Sequence, residues 1–298
     1  MESNKNFDEH MADFKKVLPK SVVVPVELSG KDKLKFRCYP GIGCFTKCCH
    51  NIRIVLTPYD IYRLKTRLNM SYIDFLSRYT TPDMIDGSPL PVVALKMKNE
   101  DGRPCPFVTP EGCTVYSDRP VICRYYPIGM GTMKKYDKKE GEDFFILIKE
   151  DHCLGHQEEK VWTVNEWIKD QGTEPYQEMN RDWSEVVLKA KTLGQVQFSD
   201  RSLELFYIVS TNLDLFRDFF FTSGIAETYE LEPAYLETLR ENELELLKFS
   251  QKWLRFLLFG EGDLKVKKEI REKVSRKLEA AKIEAQAKIL AGLDPKKK

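Results

Sequence analysis

The amino-acid sequence predicts an α+β, mainly α fold, in which a small cysteine-rich region of loops and strands packs with a helical C-terminal half. Two observations support this prediction. No cysteine lies beyond residue 153, and the cysteine-bearing segments are interrupted by Gly and Pro. From about residue 163 onward, aromatic and leucine side chains recur at the spacing of one helix face. A chain of 298 residues has room for one large domain or two ordinary ones.

The sequence divides into four predicted segments. They are an N-terminal extended arm at 1–30, a cysteine-cluster domain at 31–160, a helical region at 161–260 and a basic amphipathic helical tail at 261–298. The tail has more Lys and Arg than Asp and Glu and ends in three lysines. A basic amphipathic helix of this kind binds a membrane surface or an acidic partner, or simply lies solvated with a frayed end.

Short strands and two helix starts are predicted in the first half of the chain. The runs of β-branched and aromatic residues predict strands at 22–26, 92–97 and 144–148. The turn residues at 99–102 predict that the second of these strands forms a hairpin with the chain that follows it. Thr57-Pro58-Tyr59-Asp60 has the pattern of a capping box that begins a helix, and Ser71 begins a second one.

Longer helices are predicted in the second half. Thr163 to Glu166 forms a third capping box. One apolar face runs from Tyr176 to Ala190, and another runs from Phe206 to Phe220. A further helix is predicted from Glu232-Pro233 through Trp253 to a stop at Gly260. Stripes of this kind indicate core packing more often than cofactor binding.

Composition excludes several classes of function. The net charge of +1 gives no electrostatic case for nucleic acid, so no nucleic acid partner is predicted. The polar N-terminus lacks the pattern of a secretory signal, and no apolar run is long enough for a membrane span. These features favour a cytoplasmic protein, whose thiols stay reduced. A protein partner is predicted through the helical half or the basic tail.

The eight cysteines are the candidate chemistry of this chain, and a disulfide framework, a metal or iron–sulfur site and a redox-active thiol could each explain them. As metal ligands we predict Cys38, Cys44, Cys48, Cys49, Cys105, Cys113, Cys123 and Cys153. The adjacent thiols of Cys48 and Cys49 cannot easily bind one tetrahedral ion together. They serve two metal centres, or embrace a polynuclear cluster, or divide into one ligand and one core thiol. Eight thiols fill two four-cysteine shells, of zinc or of iron–sulfur clusters, equally well.

Basic and histidine residues flank the cysteines. Arg119 and Arg124 are predicted to face the cluster and to support it by binding loop carbonyls or by balancing thiolate charge. Pro120 and Pro127 are expected to hold a bent strand between them. A second rank of candidate ligands consists of the histidines beside cysteines, His50, His152 and His156.

Residues 105–127 carry a resemblance to a known family. They read Cys-Pro-Phe, then Cys-Thr-Val-Tyr, then Arg-Pro-Val-Ile-Cys-Arg-Tyr-Tyr-Pro, and they follow a first block that ends in the Cys48-Cys49 pair. This arrangement resembles the YkgJ-type cysteine-cluster family of zinc- or iron-chelating domains, whose signature is CxxCxxCC. The gaps before Cys44 and Cys48 are wider here than in that signature. The resemblance covers about residues 35–160 and implies that the cysteines hold an iron–sulfur cluster, the preferred cofactor, or zinc.

Three functions remain open at this stage, beside the possibility that the cysteines are merely reduced structural residues. The leading hypothesis is a metal-binding protein with no assigned reaction. The second is a protein-lysine N-methylase that uses S-adenosylmethionine, because one branch of the family is similar to flagellin lysine N-methylases. The third is a thiol redox sensor in which Cys48, Cys49 and a partner thiol cycle between thiol and disulfide.

Overall fold

A computed structural model of the chain describes residues 21–133, 142–193 and 198–292. The predicted fold class is confirmed, since 52% of the described residues are helical and the strands are short and lie in small sheets. The first 20 residues of the predicted arm and the three C-terminal lysines lie outside the described residues. Among the described helices, none has both the length and the apolar character needed to cross a membrane.

The chain folds into two compact units. Unit 1 runs from Met1 to Asn212, and unit 2 runs from Leu213 to Lys298. Unit 1 contains every cysteine. The predicted domain boundary at residue 160 lies within unit 1, and the four predicted segments remain a prediction.

Nine short strands lie in unit 1. They are β1 (Ser21–Leu28), β2 (Lys33–Lys35), β3 (Thr80–Met84), β4 (Pro91–Leu95), β5 (Val108–Thr109), β6 (Gly112–Cys113), β7 (Ile128–Met133), β8 (Glu142–Glu150) and β9 (Val161–Thr163) among the described residues. The strands β1, β8 and β7 form an antiparallel sheet in that order, and β2–β9, β3–β4 and β5–β6 form antiparallel pairs. The predicted strands at 22–26 and 144–148 are therefore present as β1 and β8.

Unit 1 also contains seven α-helices within its described part. They are α1 (Pro58–Arg67), α2 (Tyr72–Tyr79), α3 (Val121–Tyr125), α4 (Val164–Asp170), α5 (Glu174–Met179), α6 (Arg181–Thr192) and α7 (Asp200–Thr211). The predicted capping boxes of Thr57 and Thr163 are both formed. The Ser71 side chain accepts a hydrogen bond from the Asp74 amide at the start of α2. Each cap satisfies an amide that the first helical turn leaves without a partner.

One core of unit 1 joins the cysteine-rich segments to the first helix after residue 163. Its buried members are Leu34, Phe36, Tyr125, Ile128, Val164, Trp167 and Ile168. The ring of Trp167 lies 5.3 Å from that of Phe36, and its Nε1 donates to the Tyr125 carbonyl at 3.0 Å. Burial of side chains from both sides of residue 160 stabilises the two regions together.

The hairpin predicted after residue 97 forms only at its turn, where the Lys98 amide donates to the Pro104 carbonyl at 2.9 Å. The strand itself is present as β4, and the predicted turn does close, with the Arg103 amide donating to the Glu100 carbonyl at 2.9 Å. However, β4 pairs with the preceding strand β3, so that Thr80 faces Leu95. Four of the five β4 residues are buried, and a strand buried on both faces does not reveal its pairing partner in its sequence.

Asparagines interrupt the three long helices that periodicity predicts in the second half. Asn180 separates α5 from α6, and Asn212 separates α7 from the next helix. Asn242 has an extended backbone, and its side-chain oxygen accepts from the amides of Leu244 and Glu245 at 3.0 and 3.1 Å. Because asparagine side chains compete for backbone bonds, they favour helix ends over helix interiors.

Unit 2 consists of helices around an aromatic core. The helices are α8 (Leu213–Thr222), α9 (Pro233–Glu241), α10 (Glu243–Phe259) and α11 (Lys268–Gly292). Phe216, Phe220, Phe249 and Trp253 are buried with their rings in mutual contact. Gly260 ends α10 in the left-handed conformation, as its place in the sequence predicts.

Candidate metal centre

The first cysteine block forms a chain of tight turns. The Lys47 amide donates to the Cys44 carbonyl at 3.0 Å, and the Cys49 amide donates to the Thr46 carbonyl at 2.9 Å. Residues Lys47–Cys49 form one 3₁₀ turn. With three residues per turn, neighbouring side chains leave such a turn about 120° apart. The block therefore directs its thiols in several directions over a short stretch of chain.

The segment that follows Cys153 packs directly on this block. The Arg37 amide donates to the Gly155 carbonyl at 3.1 Å, and the Leu154 amide donates to the Cys44 sulfur at 3.3 Å. A Cβ atom on Gly155 would lie 2.7 Å from the Phe36 ring, so only glycine permits this approach. These contacts bring Cys38, Cys44 and Cys153 into one neighbourhood.

The segment around Cys105 packs on the same block from another direction. The Cys105 amide donates to the Cys49 carbonyl at 2.8 Å, and the Asn51 amide donates to the Arg103 carbonyl at 2.9 Å. In the next hairpin, Val108 on β5 pairs with Cys113 on β6. Backbone hydrogen bonds thus hold Cys49 beside Cys105 and carry Cys113 toward them.

Cys123 lies on α3, where a bent strand was expected between Pro120 and Pro127. That expectation is wrong, and Asp60 supplies the physical reason. Its carboxylate is fully buried and accepts hydrogen bonds from the Thr57 and Val121 amides at 2.9 and 2.8 Å. The second bond caps α3 and stabilises its helical turn. The sequence identified Asp60 only as a cap of α1, because the Val121 contact spans 61 residues.

Burial raises the pKa of Asp60 to about 6. Three influences act to lower this pKa: the hydrogen bonds from the Thr57 amide and hydroxyl, the hydrogen bond from the Val121 amide, and the positive charge of Arg124. Desolvation of the charged carboxylate therefore outweighs its hydrogen bonds. The same carboxylate contributes to the raised pKa of the Cys123 thiol. A cation beside Asp60 and Cys123 would relieve both effects.

Thiols raise the pKa values of other thiols around the first block. The pKa of Cys38 rises to about 11, first through burial and then through the nearby thiols of Cys48, Cys44 and Cys153. The pKa of Cys48 is raised by a hydrogen bond with the Cys49 side chain, by burial, and by the charges of Cys49 and Glu150. Electrostatic interactions of this size require the groups to be close. The structure therefore gathers the first block and Cys153 in one region.

A second group of thiols interacts in the same way. Burial raises the pKa of Cys105 to about 11, with a contribution from Cys113. The pKa of Cys123 is also raised, first by burial and then by Cys105, Asp60, Cys113 and Cys48. Every predicted cysteine ligand is thus close to at least one other, through a side-chain interaction or a backbone bond.

The donor set fits a thiophilic cation by its chemistry. All eight cysteines are free of disulfides. Closely placed thiolates repel one another, and a bound metal ion removes that repulsion while it deprotonates its ligands. Within the described part of the chain, however, no three His, Cys, Asp or Glu side chains are already arranged to hold an ion. The thiols share a neighbourhood without forming a closed coordination shell.

Tyr126 and Glu150 belong to this region, although sequence reasoning missed them. The Tyr126 hydroxyl donates to the Glu150 carboxylate at 2.9 Å. It also forms a hydrogen bond with Cys153. Glu150 in turn contributes to the raised pKa of Cys48. The available signal was position, since Glu150 ends β8 three residues before Cys153.

Both arginines predicted to support the cluster are buried and bound to loop carbonyls. Arg119 donates to the Tyr116 carbonyl at 2.7 Å and to the Gln171 side chain at 2.6 Å. Arg124 donates to three carbonyls, those of Arg119, Gln171 and Ser117. Electrostatic interaction with the thiols of Cys123 and Cys113 is present for Arg119. The supporting role of the two arginines remains a prediction.

The three histidines lie beside the cysteine segments and contact other groups. Nδ1 of His50 is 3.1 Å from the Thr46 carbonyl, and Nε2 of His156 is 3.1 Å from the Ile148 carbonyl. Nε2 of His152 is 3.6 Å from the Glu150 carboxylate. Their predicted rank below the cysteines is consistent with these contacts, and their role as ligands is untested.

The backbone segments that carry the cysteines pack on one another, and buried polar side chains lie beside them. Residues 37–154 match the family model named CxxCxxCC, which is described as a "putative zinc- or iron-chelating domain". The resemblance predicted from the sequence is therefore confirmed over this segment. Neither a curated protein nor a solved structure matches the chain. No match supports a similarity to lysine N-methylases.

Proposed function

We propose that residues 37–154 hold an iron–sulfur cluster, or alternatively zinc, through cysteine thiolates. The observation that carries this proposal is that all eight free cysteines lie within the segment that matches the chelating family, on stretches of chain several of which pack on the first cysteine block. Thiolates are the ligands of structural zinc and of iron–sulfur clusters alike. A reducing, cytoplasmic compartment is part of the proposal, because it keeps the thiols available for metal.

Iron–sulfur is the preferred cofactor of the proposal because of the Cys48-Cys49 pair. The two side chains form a hydrogen bond, so their sulfurs lie side by side. A polynuclear cluster can use both neighbouring sulfurs, each as the ligand of a different iron atom.

The methylase alternative gains no support from the glycines that could have formed a cofactor loop. Gly129 and Gly131 lie on β7. A Cβ atom at these positions would lie 2.8 Å from the Ile146 side chain and 2.4 Å from the Phe144 side chain. The two glycines therefore accommodate side chains of β8. S-adenosylmethionine enters the proposal only under that alternative.

The redox-sensor alternative rests on the contact between the Cys48 and Cys49 side chains. Under this alternative the protein binds no metal, and mild oxidation converts thiols to disulfides. The two readings differ in what the isolated protein contains.

The test is anaerobic purification followed by a visible spectrum and by measurement of iron, sulfide and zinc per chain. Iron and sulfide with broad visible absorbance support the preferred cofactor, and stoichiometric zinc in a colourless protein supports zinc. A colourless, metal-free protein that loses free thiols on mild oxidation would overturn the proposal in favour of the redox sensor.

The proposed partner is a protein that binds the helical half or the basic tail. The exposed, charged surface of α11 is available for such contacts along its described side chains. Pull-down with the intact chain and with a chain ending at residue 260 distinguishes the two: loss of the partner assigns it to the tail, and retention assigns it to the helical half.

A further inference from the structure

We propose that a cleft on one face of the β3–β4 pair binds a small organic anion through a carboxylate or phosphate group. This inference does not depend on the metal binding proposed above, because none of the residues that line the cleft is a cysteine. The cleft has a volume of about 300 Å³, which is enough for a small metabolite. Its polar lining residues are Asn51, Arg53, Thr81, Asp83, Lys96 and Arg103.

The strands β3 and β4 place three of these side chains on one face. Thr81 faces Ala94 across the pair, and Asp83 lies two positions further along β3. The Lys96 amide continues the ladder beyond β4, because it donates to the Tyr79 carbonyl at 2.8 Å. Side chains alternate between the two faces of a strand, so Thr81, Asp83 and Lys96 lie on the face of Ala94.

The segment before α1 adds a further cation to this face. Val55 forms an antiparallel bridge with Ala94, and the same register places Arg53 opposite Lys96. Like charges at opposite positions repel each other. The Arg53 guanidinium is neutralised by the Asp83 carboxylate at 2.8 Å, whereas no carboxylate of the described residues forms an ion pair with Lys96. Positive charge is therefore in excess at Lys96.

Arg103 supplies a second uncompensated cation to the cleft. The Asn51 amide donates to the Arg103 carbonyl at 2.9 Å, and Arg103 Nη1 donates to the Asn51 side-chain oxygen at 3.4 Å. In the part of the chain that the structure describes, no carboxylate pairs with this guanidinium. Both residues have a left-handed backbone, with φ of 47° at Asn51 and 45° at Arg103. Arginine rarely adopts this conformation, and backbone strain of this kind concentrates at ligand sites.

The donors around the cleft determine the class of ligand. Lys96 and Arg103 offer charged N–H groups, and the Thr81 hydroxyl and the Asn51 amide can add neutral ones. Carboxylate and phosphate groups accept several such bonds, and arginine binds either group through two parallel bonds. A metal cation fits poorly, because Asp83 is the one carboxylate among the described lining residues and already binds Arg53. The four donor residues are exposed, so a ligand can reach them.

Isothermal titration calorimetry of the intact chain with inorganic phosphate and with malonate, at constant ionic strength, tests the proposal. Lys96→Gln and Arg103→Gln should each weaken binding about tenfold or more, because each removes a charge-assisted hydrogen bond. Lys169→Gln on α4 is the matched control, since this exposed lysine does not line the cleft. Binding of phosphate alone would assign the site to phosphate-bearing ligands, and binding of malonate alone would assign it to carboxylates.

A further variant distinguishes an anion site from a general loss of folding. Asp83→Asn removes the carboxylate of the cleft and leaves Arg53 less neutralised, so this variant should bind the anion more tightly than the natural chain. Equal or weaker binding by Asp83→Asn would overturn the proposal, as would equal weakening by Lys169→Gln and Lys96→Gln. Failure of the intact chain to bind either anion would also overturn it. None of these outcomes depends on metal content, so the proposed function would stand.

Discussion

The cysteine region of unit 1 and the helical core of unit 2 are stabilised in different ways. In unit 2, buried aromatic rings contact one another directly, as Trp253 contacts Phe216 and Phe220. In unit 1, the segments that carry the cysteines meet through backbone hydrogen bonds and through buried polar side chains such as Asp60 and Arg124. An aromatic core needs no ligand, whereas loops that bring thiols together can gain ligation free energy when a metal ion binds them.

This difference indicates which part of the chain a bound metal would stabilise. Ligation free energy becomes folding free energy only where the ligands are not already held by a core. Unit 1 has a core at Phe36 and Trp167, whose buried members include no cysteine, and Cys153 packs against it while only partly buried.

Metal removal should have the largest effect and should be confined to unit 1. Chelation, or Cys48→Ser combined with Cys49→Ser, removes a ligation free energy of about 10 kcal/mol or more if the metal is structural. Hydrogen exchange should then accelerate over residues 36–153 and stay unchanged over α8, α9 and α10. A chelator already saturated with metal is the control. Equal protection of residues 36–153 from hydrogen exchange with and without metal would show that the cysteine loops fold without a ligand.

Trp253→Ala should destabilise unit 2 by about 3–5 kcal/mol, because it removes a side chain that is only 1% exposed and leaves a cavity. Denaturant unfolding with hydrogen exchange measures the loss, and the metal content of unit 1 should not change. Leu257→Ala on the same helix is the matched control, since that side chain is 42% exposed and should cost little. Loss of metal in Trp253→Ala would mean that the two units are not independent.

Arg124→Lys should destabilise unit 1 by about 2–3 kcal/mol. A lysine cannot reproduce the guanidinium bonds to three carbonyls or the stacking on Tyr176, whose ring centroid lies 4.5 Å away. Thermal unfolding of the loaded protein measures the effect. Arg67→Lys provides the control, because that side chain is 54% exposed. Equal stability of the two variants would contradict a structural role for Arg124.

Asp83→Asn should have the smallest effect, and the effect should depend on pH. Its hydrogen bonds with Arg53 hold the pKa of Asp83 below the usual 3.8. A lowered pKa in the folded state contributes stability at neutral pH that is lost as pH falls below 3.8. Solvent screening limits the contribution to below about 1 kcal/mol. The variant should therefore differ from the natural chain at pH 7 and match it at low pH.

The control for that variant is Asp86→Asn. In the natural chain, Asp86 also binds the Arg53 guanidinium, but its side chain is 82% exposed. Its effect should be smaller than that of Asp83→Asn at every pH. Urea unfolding at several pH values compares them. A larger effect for Asp86→Asn would show that exposure does not determine the strength of this ion pair.

Local signals in the sequence were sufficient for the helix starts. The hydroxyl of Thr57 and the carboxylate of Asp60 cap α1 within four residues, and Thr163 does the same for α4. Helix breaks were harder to predict, because apolar periodicity continues across Asn180 and Asn242. Asn180 is buried and binds the Tyr59 amide and the Thr57 hydroxyl, more than 100 residues away. Such a tertiary reason for a break leaves no local pattern.

The candidate site shows the same division. The candidate cysteines and the downstream motif could be identified from the sequence, because the motif at 105–127 is a contiguous run of residues. Tyr126 lies just before β7 and Glu150 ends β8. Their positions beside the thiols therefore depend on how β8 pairs with β7. Short strands of two or three residues carry too little pattern to fix their partners.

The contacts between the first cysteine block and Gly155 have a consequence for synthesis of the chain. The residue numbers of Cys38 and Cys153 differ by 115, as 153 − 38. At about 5–20 residues per second, a ribosome needs on the order of 6–20 s to cover that distance. During this interval the earliest thiols have emerged while their last partner has not been made. Under the proposed function, the full set of thiols is therefore present only after translation has passed residue 153.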